Sequence, residues 1–366
     1  MSAPVEAVEP DASASILSAW KGRSGSLAVA AVGIAVLVAL LLTLPRLDGT
    51  TWAAVARLIG SVSLPQNLAL AGLWSLGLIA HTWVQLAALP GLRRRDALTL
   101  NLGGSAVAGA LPAGGPLSLA VNWSMLRSWG FTTSQFSSYT MVTTVVTTAA
   151  RLSVPLVAAF ALLGGPHLPA KVAGASRLAA VGILVMIALV ALALLPAVRR
   201  RLLRISRPAR VAALLTRAGT VAADALATSG AALRTRRRDL LLGAAAQTVV
   251  QYLLLLGCLA VMHAGVGPRA ALIAFGLGRL LSLAPITPGG LGVTEALVGA
   301  LLVAFGAPPS AAVGAVLLHS LYVVVLEIPV GAGALALWRT QVRRARTVRT
   351  PGDRSPDGGG ERPSGG

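Results

Sequence analysis

The sequence predicts an all-α polytopic membrane protein made of two halves of inverted topology, with about six full transmembrane helices and two re-entrant broken-helix hairpins. Three observations carry this. The 366-residue chain is 55% hydrophobic and only 12% charged, with mean hydropathy +0.77, where a soluble domain carries roughly 25% charged residues. Its basic residues collect between apolar runs, the pattern of a positive-inside membrane chain. Two apolar stretches are interrupted by proline and glycine at matching places, L-P-A-G-G-P at 111–116 and L-A-P-I-T-P-G-G-L-G-V-T-E-A at 283–296. Proline removes a backbone donor and glycine loosens the chain, so a helix breaks there. In hydrocarbon the freed groups must be covered by protein or face a watery cavity. Paired breaks in two halves are the pattern of a transport-type site at the bilayer midplane.

Charge and cysteine content narrow the classes further. The formal net charge is +19, from 31 basic and 12 acidic residues. Because the charges flank apolar runs, anionic lipid and the positive-inside rule account for them, and nucleic acid is not expected as a partner. The single cysteine, Cys258, lies in an apolar run and gives no intrachain disulfide. No CxxC or HExxH spacing and no P-loop occurs, so neither a metal site, a cofactor nor an ATP-driven step is expected. Only two of the basic residues are lysines, Lys21 and Lys171, a bias that fits a GC-rich bacterial genome and a multi-pass protein of the bacterial cytoplasmic membrane.

Taken in order, residues 1–25 form a polar N-terminal tail on the cytoplasmic side. The first repeat covers 26–163. It opens with an uncleaved apolar span at 26–44, long enough to cross. Residues 45–66, with Arg46, Asp48, Trp52 and Arg57, read as a segment lying on the far interface, and 67–89 as the second span. Arg93, Arg94 and Arg95 place its end in the cytoplasm. The first hairpin, 98–126, has arginines at both ends and so opens to the cytoplasm. The third span is 138–163. The second repeat, 177–338, begins with a span at 177–197. A linker at 198–239 follows, with eleven arginines against Asp224 and Asp239. Its Ala- and Leu-rich middle, 208–233, suits an amphipathic helix that meets anionic lipid. The fifth span is 240–263, the second hairpin 270–305 and the sixth span 311–338. The hairpin arms, about 15 residues or roughly 22 Å each, fall short of the roughly 30 Å core, so each enters part way and returns. The tail 339–366 is rich in Arg, Gly and Pro and reads as disordered. Six spans place both termini in the cytoplasm.

The halves share landmarks in order. Gly114-Gly115 matches Gly289-Gly290. Gly130, in G-F-T-T-S, follows the first pair by 15 residues, and Gly306, in G-A-P-P-S, follows the second by 16. Pro155, in R-L-S-V-P, and Pro329, in L-E-I-P, come 40 and 39 residues after their glycine pairs. Opposed hairpins in such repeats bring a substrate to where their tips meet.

The stretch P-G-G-L-G-V-T-E-A, together with N-L-G-G-S-A-V-A-G-A-L-P-A-G-G at 101–115, resembles the lysylphosphatidylglycerol synthase transmembrane family, the flippase part of multiple peptide resistance factor proteins. The resemblance runs over about 26–338. Where that family often carries a glutamate after the first glycine pair, this chain has Pro116. Only a short tail follows Trp338, so the resemblance implies lipid translocation rather than lysyl-lipid synthesis.

Four charged residues stand inside the apolar segments: Arg151, Arg279, Glu295 and Glu327. Each costs about 2.5–3.5 kcal/mol at a helix centre on insertion scales, so they either close into internal ion pairs or face a cavity that admits a charged headgroup. Thr287-Pro288 resembles a helix cap and first helical position. The positive end of that arm then suits a lipid phosphate, with Gly289 and Gly290 allowing close approach and Glu295 suiting an amine or a proton. Gly114 and Gly115 mark the opposite tip. Thr140, Thr143, Thr144, Thr147, Thr148 and Arg151 recur at helical spacing; Thr144 and Thr148 are candidate cavity-lining residues beside Arg151, whose planar guanidinium suits phosphate. The plainer account of the threonines is bonding to their own backbone. His81, Gln85, Gln247, Gln251, His319 and Tyr322 are read as interhelical hydrogen bonds. The expected ligand is a phospholipid or lipid-linked polar headgroup, and self-association is left open. Polyprenyl-lipid glycosyl transfer, and a scaffold for a lipid-synthesis partner docked on 198–239, are the alternatives. No catalytic residue is assigned, and the absence of a DxD pair weighs against the enzyme.

Overall fold

The computed structural model describes residues 51–110, 114–163, 235–282 and 292–348, and every regular element among them is helical. The spans expected at 26–44 and 177–197, the amphipathic 208–233, the glycine pair 289–290 and the tail beyond 348 lie outside the described residues.

Helix α1 (Trp52–Gly60) starts at Thr51, whose hydroxyl accepts from the Ala54 amide at 3.3 Å. It corresponds to part of the segment expected on the interface. α2 (Leu64–Ala88) starts with Pro65 in its first turn and with the Ser63 amide donating to Gln66 Oε1 at 2.9 Å; these satisfy an otherwise free helix end. The first broken segment is α3 (Arg94–Ala110) and α4 (Gly114–Ser128). α5 (Thr133–Leu163) begins five residues before the expected span, and α6 (Arg237–Val261) begins inside the expected linker. The second broken segment is α7 (Pro268–Leu281) and α8 (Val293–Ala304). The last span is α9 (Pro309–Ser320), a π-helical turn (Leu321–Val325) and α10 (Glu327–Val348). α10 therefore carries ten residues into the tail that composition reads as disordered.

Among the described residues four helical runs are long and apolar enough to cross a membrane: Leu64–Ala88, Thr133–Phe160, Arg237–Val261 and Pro309–Arg344. The four arms, of 17, 15, 14 and 12 residues, reach only about 18–26 Å, less than the roughly 30 Å core.

Each broken segment packs along a long helix distant in sequence: α3 lies on α10 and α7 lies on α5. Glycine makes both crossings close. A Cβ on Gly331 of α10 would strike the Leu102 carbonyl oxygen and come within 2.6 Å of Ala106 Cβ. A Cβ on Gly276 of α7 would come within 2.5 Å of Ala158 Cβ and 3.4 Å of Pro155 Cα. The landmark glycines 130 and 306 serve one purpose. Both take positive φ, +88° and +98°, after a second arm. In each, the next amide reaches back five residues, Phe131 to Leu126 O and Ala307 to Leu302 O. This is the Schellman cap, which favours glycine because it needs a left-handed residue.

Apolar residues form two main clusters at opposite ends of the bundle. One joins Leu70, Val154, Leu254 and Phe275 with α9 and Tyr322. The other joins Val84, Val146, Ala244, Leu100 and Met125, with Leu335 and Trp338 against it. The second cluster lies at the arginine-rich end: Leu92, Leu126, Leu240 and Trp338 each stand within three residues of an arginine.

Candidate functional site

Between the two clusters the helices turn from apolar to polar. On α2 the change falls between Leu70 and Val84, on α5 between Val146 and Val154, and on α6 between Ala244 and Leu254. A cavity of about 260 Å³ occupies this level, lined by Trp74, His81, Asn101, Ser105, Arg151, Gln247, Gln251, Arg279 and Glu327 among others. Three of the four intramembrane charges thus meet in one space. Arg151 is exposed and lines the cavity; an arginine at this depth requires water or a partner there. Pro155, four residues on, has no amide to offer the Arg151 carbonyl. Arg151 is close enough for its charge to reach His81 and Arg279, so two like charges share the space.

Neutral partners hold the walls. Arg279 donates from Nη2 to Gln251 Oε1, and its guanidinium carbon lies 4.9 Å from the centre of the Phe275 ring, a cation–π distance. His81 Nδ1 and Gln247 Oε1 are 3.0 Å apart. The Glu327 carboxylate faces the Ser105 hydroxyl and the Trp74 ring nitrogen across the cavity wall, and that nitrogen is buried without a well-formed hydrogen bond. The alternative of two closed ion pairs among the four charges is therefore not the arrangement observed.

A second, smaller chamber of about 140 Å³ lies between α7, α8 and α9, and Arg279 and Val323 line both spaces. Glu295 belongs to this chamber. Its Oε1 accepts from the Ser320 hydroxyl at 2.9 Å and its Oε2 from the Gly292 amide at 2.6 Å. The described arm starts at Val293, after Gly292 with φ +89°, and the Thr287-Pro288 cap read from sequence lies outside the described residues. Glu295 consequently stands in the first turn and occupies the positive helix end itself. At this described helix end the Glu295 carboxylate itself accepts from the Gly292 amide. His319 borders the same chamber beside Arg279, with its Nε2 unpartnered.

The remaining sequence candidates for substrate binding among the described residues line neither chamber. Gly114 is buried where a Cβ would come within 2.5 Å of the Val107 carbonyl oxygen, so it lies tight against the end of α3; Gly115 has open space around it. Gly289 and Gly290 lie outside the described residues. Thr144 and Thr148 are exposed and line neither chamber. Thr143 and Thr147 bond the carbonyls of Tyr139 and Thr143 at 2.8 and 2.7 Å, the plainer account of the stripe. Of the residues read as interhelical bonds, His81, Gln247, Gln251 and Tyr322 make them, Tyr322 to Asn67 at 3.1 Å, while the Oε1 of Gln85 is buried without a partner.

Asn101, Ser105 and Trp74 were not singled out by the sequence. The signal was within N-L-G-G-S, where Asn101 and Ser105 are spaced i, i+4 and share a face. The intervening glycines look elsewhere: Gly103 meets Leu335 of α10 and Gly104 meets Asn122 of α4. Beside the cavity an apolar groove of about 500 Å³ runs between α5, α6 and α7, lined by Ala149, Ser153, Ala245, Val249 and Phe275 among others. Phe275 is thus shared between this groove and the Arg279 stack. Among the described residues no cluster of His, Cys, Asp or Glu is arranged to hold a metal ion. A search among curated proteins returns no match. A family model described as Lysylphosphatidylglycerol synthase TM region matches residues 27–331.

Proposed function

Because the chain belongs to the lysylphosphatidylglycerol synthase transmembrane-region family, whose membrane domain is associated with lipid flippase-like function, we propose that it translocates a phospholipid or other lipid-linked polar headgroup across the membrane. The observation that carries this reading is the meeting of Arg151, Arg279 and Glu327 on one polar cavity between two apolar clusters. Two cations against one carboxylate favour a headgroup with a phosphate. Arg151 and Arg279 take the phosphate, as guanidinium forks do, and Glu327 takes an amine or hydroxyl on the same headgroup. The apolar groove along α5, α6 and α7 supports an amphipathic ligand over a water-soluble one, since hydrocarbon finds a surface next to the polar space.

In this reading the arginine-rich end is cytoplasmic, the membrane is the bacterial cytoplasmic membrane, and the two broken segments open to opposite faces. The exchange of arms between halves supports an inverted repeat in which one half rocks against the other around a fixed site. The protein acts as a transporter and not as a lipid-modifying enzyme. Translocation of fluorescent phospholipids in proteoliposomes tests it, with neutral, zwitterionic and anionic headgroups compared. Wild type should move lipid, and Arg151→Ala should abolish movement while eluting as a folded protein. No movement of any lipid by well-folded wild type overturns the proposal.

A further inference from the structure

On the side of α2 away from the central cavity, an open slot of about 370 Å³ separates α2 from α3. Ile79, Trp83 and Leu86 form one wall at helical spacing, and Arg94 and Leu98, also one turn apart, form the other. Ile79 is 62% exposed, Trp83 44% and Leu98 39%. Thr82 closes the back: its hydroxyl donates to the Leu78 carbonyl at 2.7 Å and lies 3.4 Å from Asn101 Nδ2. Since Asn101 lines the central cavity, this pair stands between the two spaces, and a molecule in the slot does not share the transport site.

The chemistry of the walls selects the occupant. All the lining is apolar except Thr82, whose proton is used, and Arg94 at one end. Arg93, Arg94 and Arg95 are all exposed at that end, against the single Asp96. Ile79 to Leu86 spans about 10 Å along the helix axis, most of the roughly 15 Å that is half a 30 Å hydrocarbon core. The tryptophan lies toward the polar end, as interfacial tryptophans do. A transmembrane helix is about 10–12 Å across with its side chains and does not fit a space of this volume, whereas an alkyl chain does.

We propose that the α2–α3 slot is a binding site for a resident anionic phospholipid, one acyl chain lying between Trp83 and Leu98 and the phosphate seated at Arg94. The site is independent of the translocation reading: it would hold a lipid that stays.

Native mass spectrometry of protein extracted from vesicles of phosphatidylglycerol and phosphatidylcholine tests this. Wild type should retain one phosphatidylglycerol under delipidation that strips the rest. Arg94→Gln, which removes the charge, and Leu98→Trp, which fills the slot, should each lose it. Arg94→Lys should keep it, and Arg127→Gln, at the same end but outside the slot, should keep it too. Retention of the same lipid by Arg94→Gln and Leu98→Trp, or retention of phosphatidylcholine as readily as phosphatidylglycerol, overturns the site. Should those variants misfold, brominated lipids give a second measurement on otherwise unaltered protein. The part of the tryptophan quenching that disappears in Trp83→Phe should be at least twofold greater with brominated phosphatidylglycerol than with brominated phosphatidylcholine. Equal quenching by the two overturns the proposal as well.

Discussion

The two broken segments share a frame and differ in chemistry. Each packs through a glycine on a long helix distant in sequence, and each ends in the same left-handed cap. Yet α3 offers the cavity only neutral groups, Asn101 and Ser105, while α7 offers Arg279. The first turn of α8 places Glu295 on the smaller chamber, and the described part of α4 has no counterpart. Small residues at the crossings fix the geometry, and the positions that look inward are free to diverge. In the proposed function that divergence matters: a cavity with one neutral arm and one cationic arm gives a phosphate a preferred side.

The frame gives the largest expected effects. Gly331→Leu should destabilise by more than about 3 kcal/mol, above the usual 1–3 kcal/mol for an overfilled core. Its obstacle is the Leu102 carbonyl, which is backbone and cannot be trimmed. Thermal unfolding in detergent reads this; a melt like that of wild type means the crossing is not close. Gly276→Ala should cost less, because its nearest obstacle is a side chain, Ala158 Cβ at 2.5 Å. Ala158→Gly added to Gly276→Ala should recover most of the loss, whereas Ala106→Gly should not rescue Gly331→Ala. Rescue at both crossings, or at neither, would mean that the two are held by the same kind of contact.

The inward positions come next. Arg279→Gln should slow lipid translocation about 10- to 100-fold, since a hydrogen bond to a charged group contributes about 1.5–3 kcal/mol and about 1.4 kcal/mol is tenfold. Asn101→Leu should slow it less than about tenfold, at the roughly 0.5–1.5 kcal/mol of a neutral bond. Equal losses would show that the cationic arm has no special part. The two carboxylates separate likewise. Glu295 caps α8 and ties it to Ser320, so Glu295→Gln should lower the melting temperature by the equivalent of about 1 kcal/mol and affect transport mainly through folding. Glu327→Gln, at the cavity wall, should leave the melt near wild type and change which headgroups move.

Much of the frame was legible because its causes are local. A proline–glycine break inside an apolar run has few other readings, and a charge in hydrocarbon costs enough to announce itself, so Arg151, Arg279 and Glu327 were found from sequence. Asn101 and Ser105 were passed over because neutral polar residues in a span are cheap, and their motif drew attention to its glycines. The cap of α8 was not read from P-G-G-L-G, where several glycines could precede a helix; the Gly292 amide donating to Glu295 at 2.6 Å marks it. The π turn left no mark in composition. It replaces one α register by a bond from the Leu326 amide to Leu321 O at 2.8 Å, a shift of one residue ahead of Pro329. Val323 lines both chambers from within it.

The smallest expected effect is at α5, where sequence periodicity grouped Thr144 and Thr148 with Arg151. Both threonines are exposed and line neither chamber, so Thr144→Ala and Thr148→Ala should stay within about 0.5 kcal/mol of wild type in stability, as surface changes do. Lipid translocation should be unaltered, in contrast to Arg151→Ala one turn away. The three residues share a helix and a spacing, so the contrast separates position along a stripe from access to the cavity. If Thr148→Ala alone slows translocation tenfold, α5 turns during transport, and the face that is outward in this structure becomes part of the path.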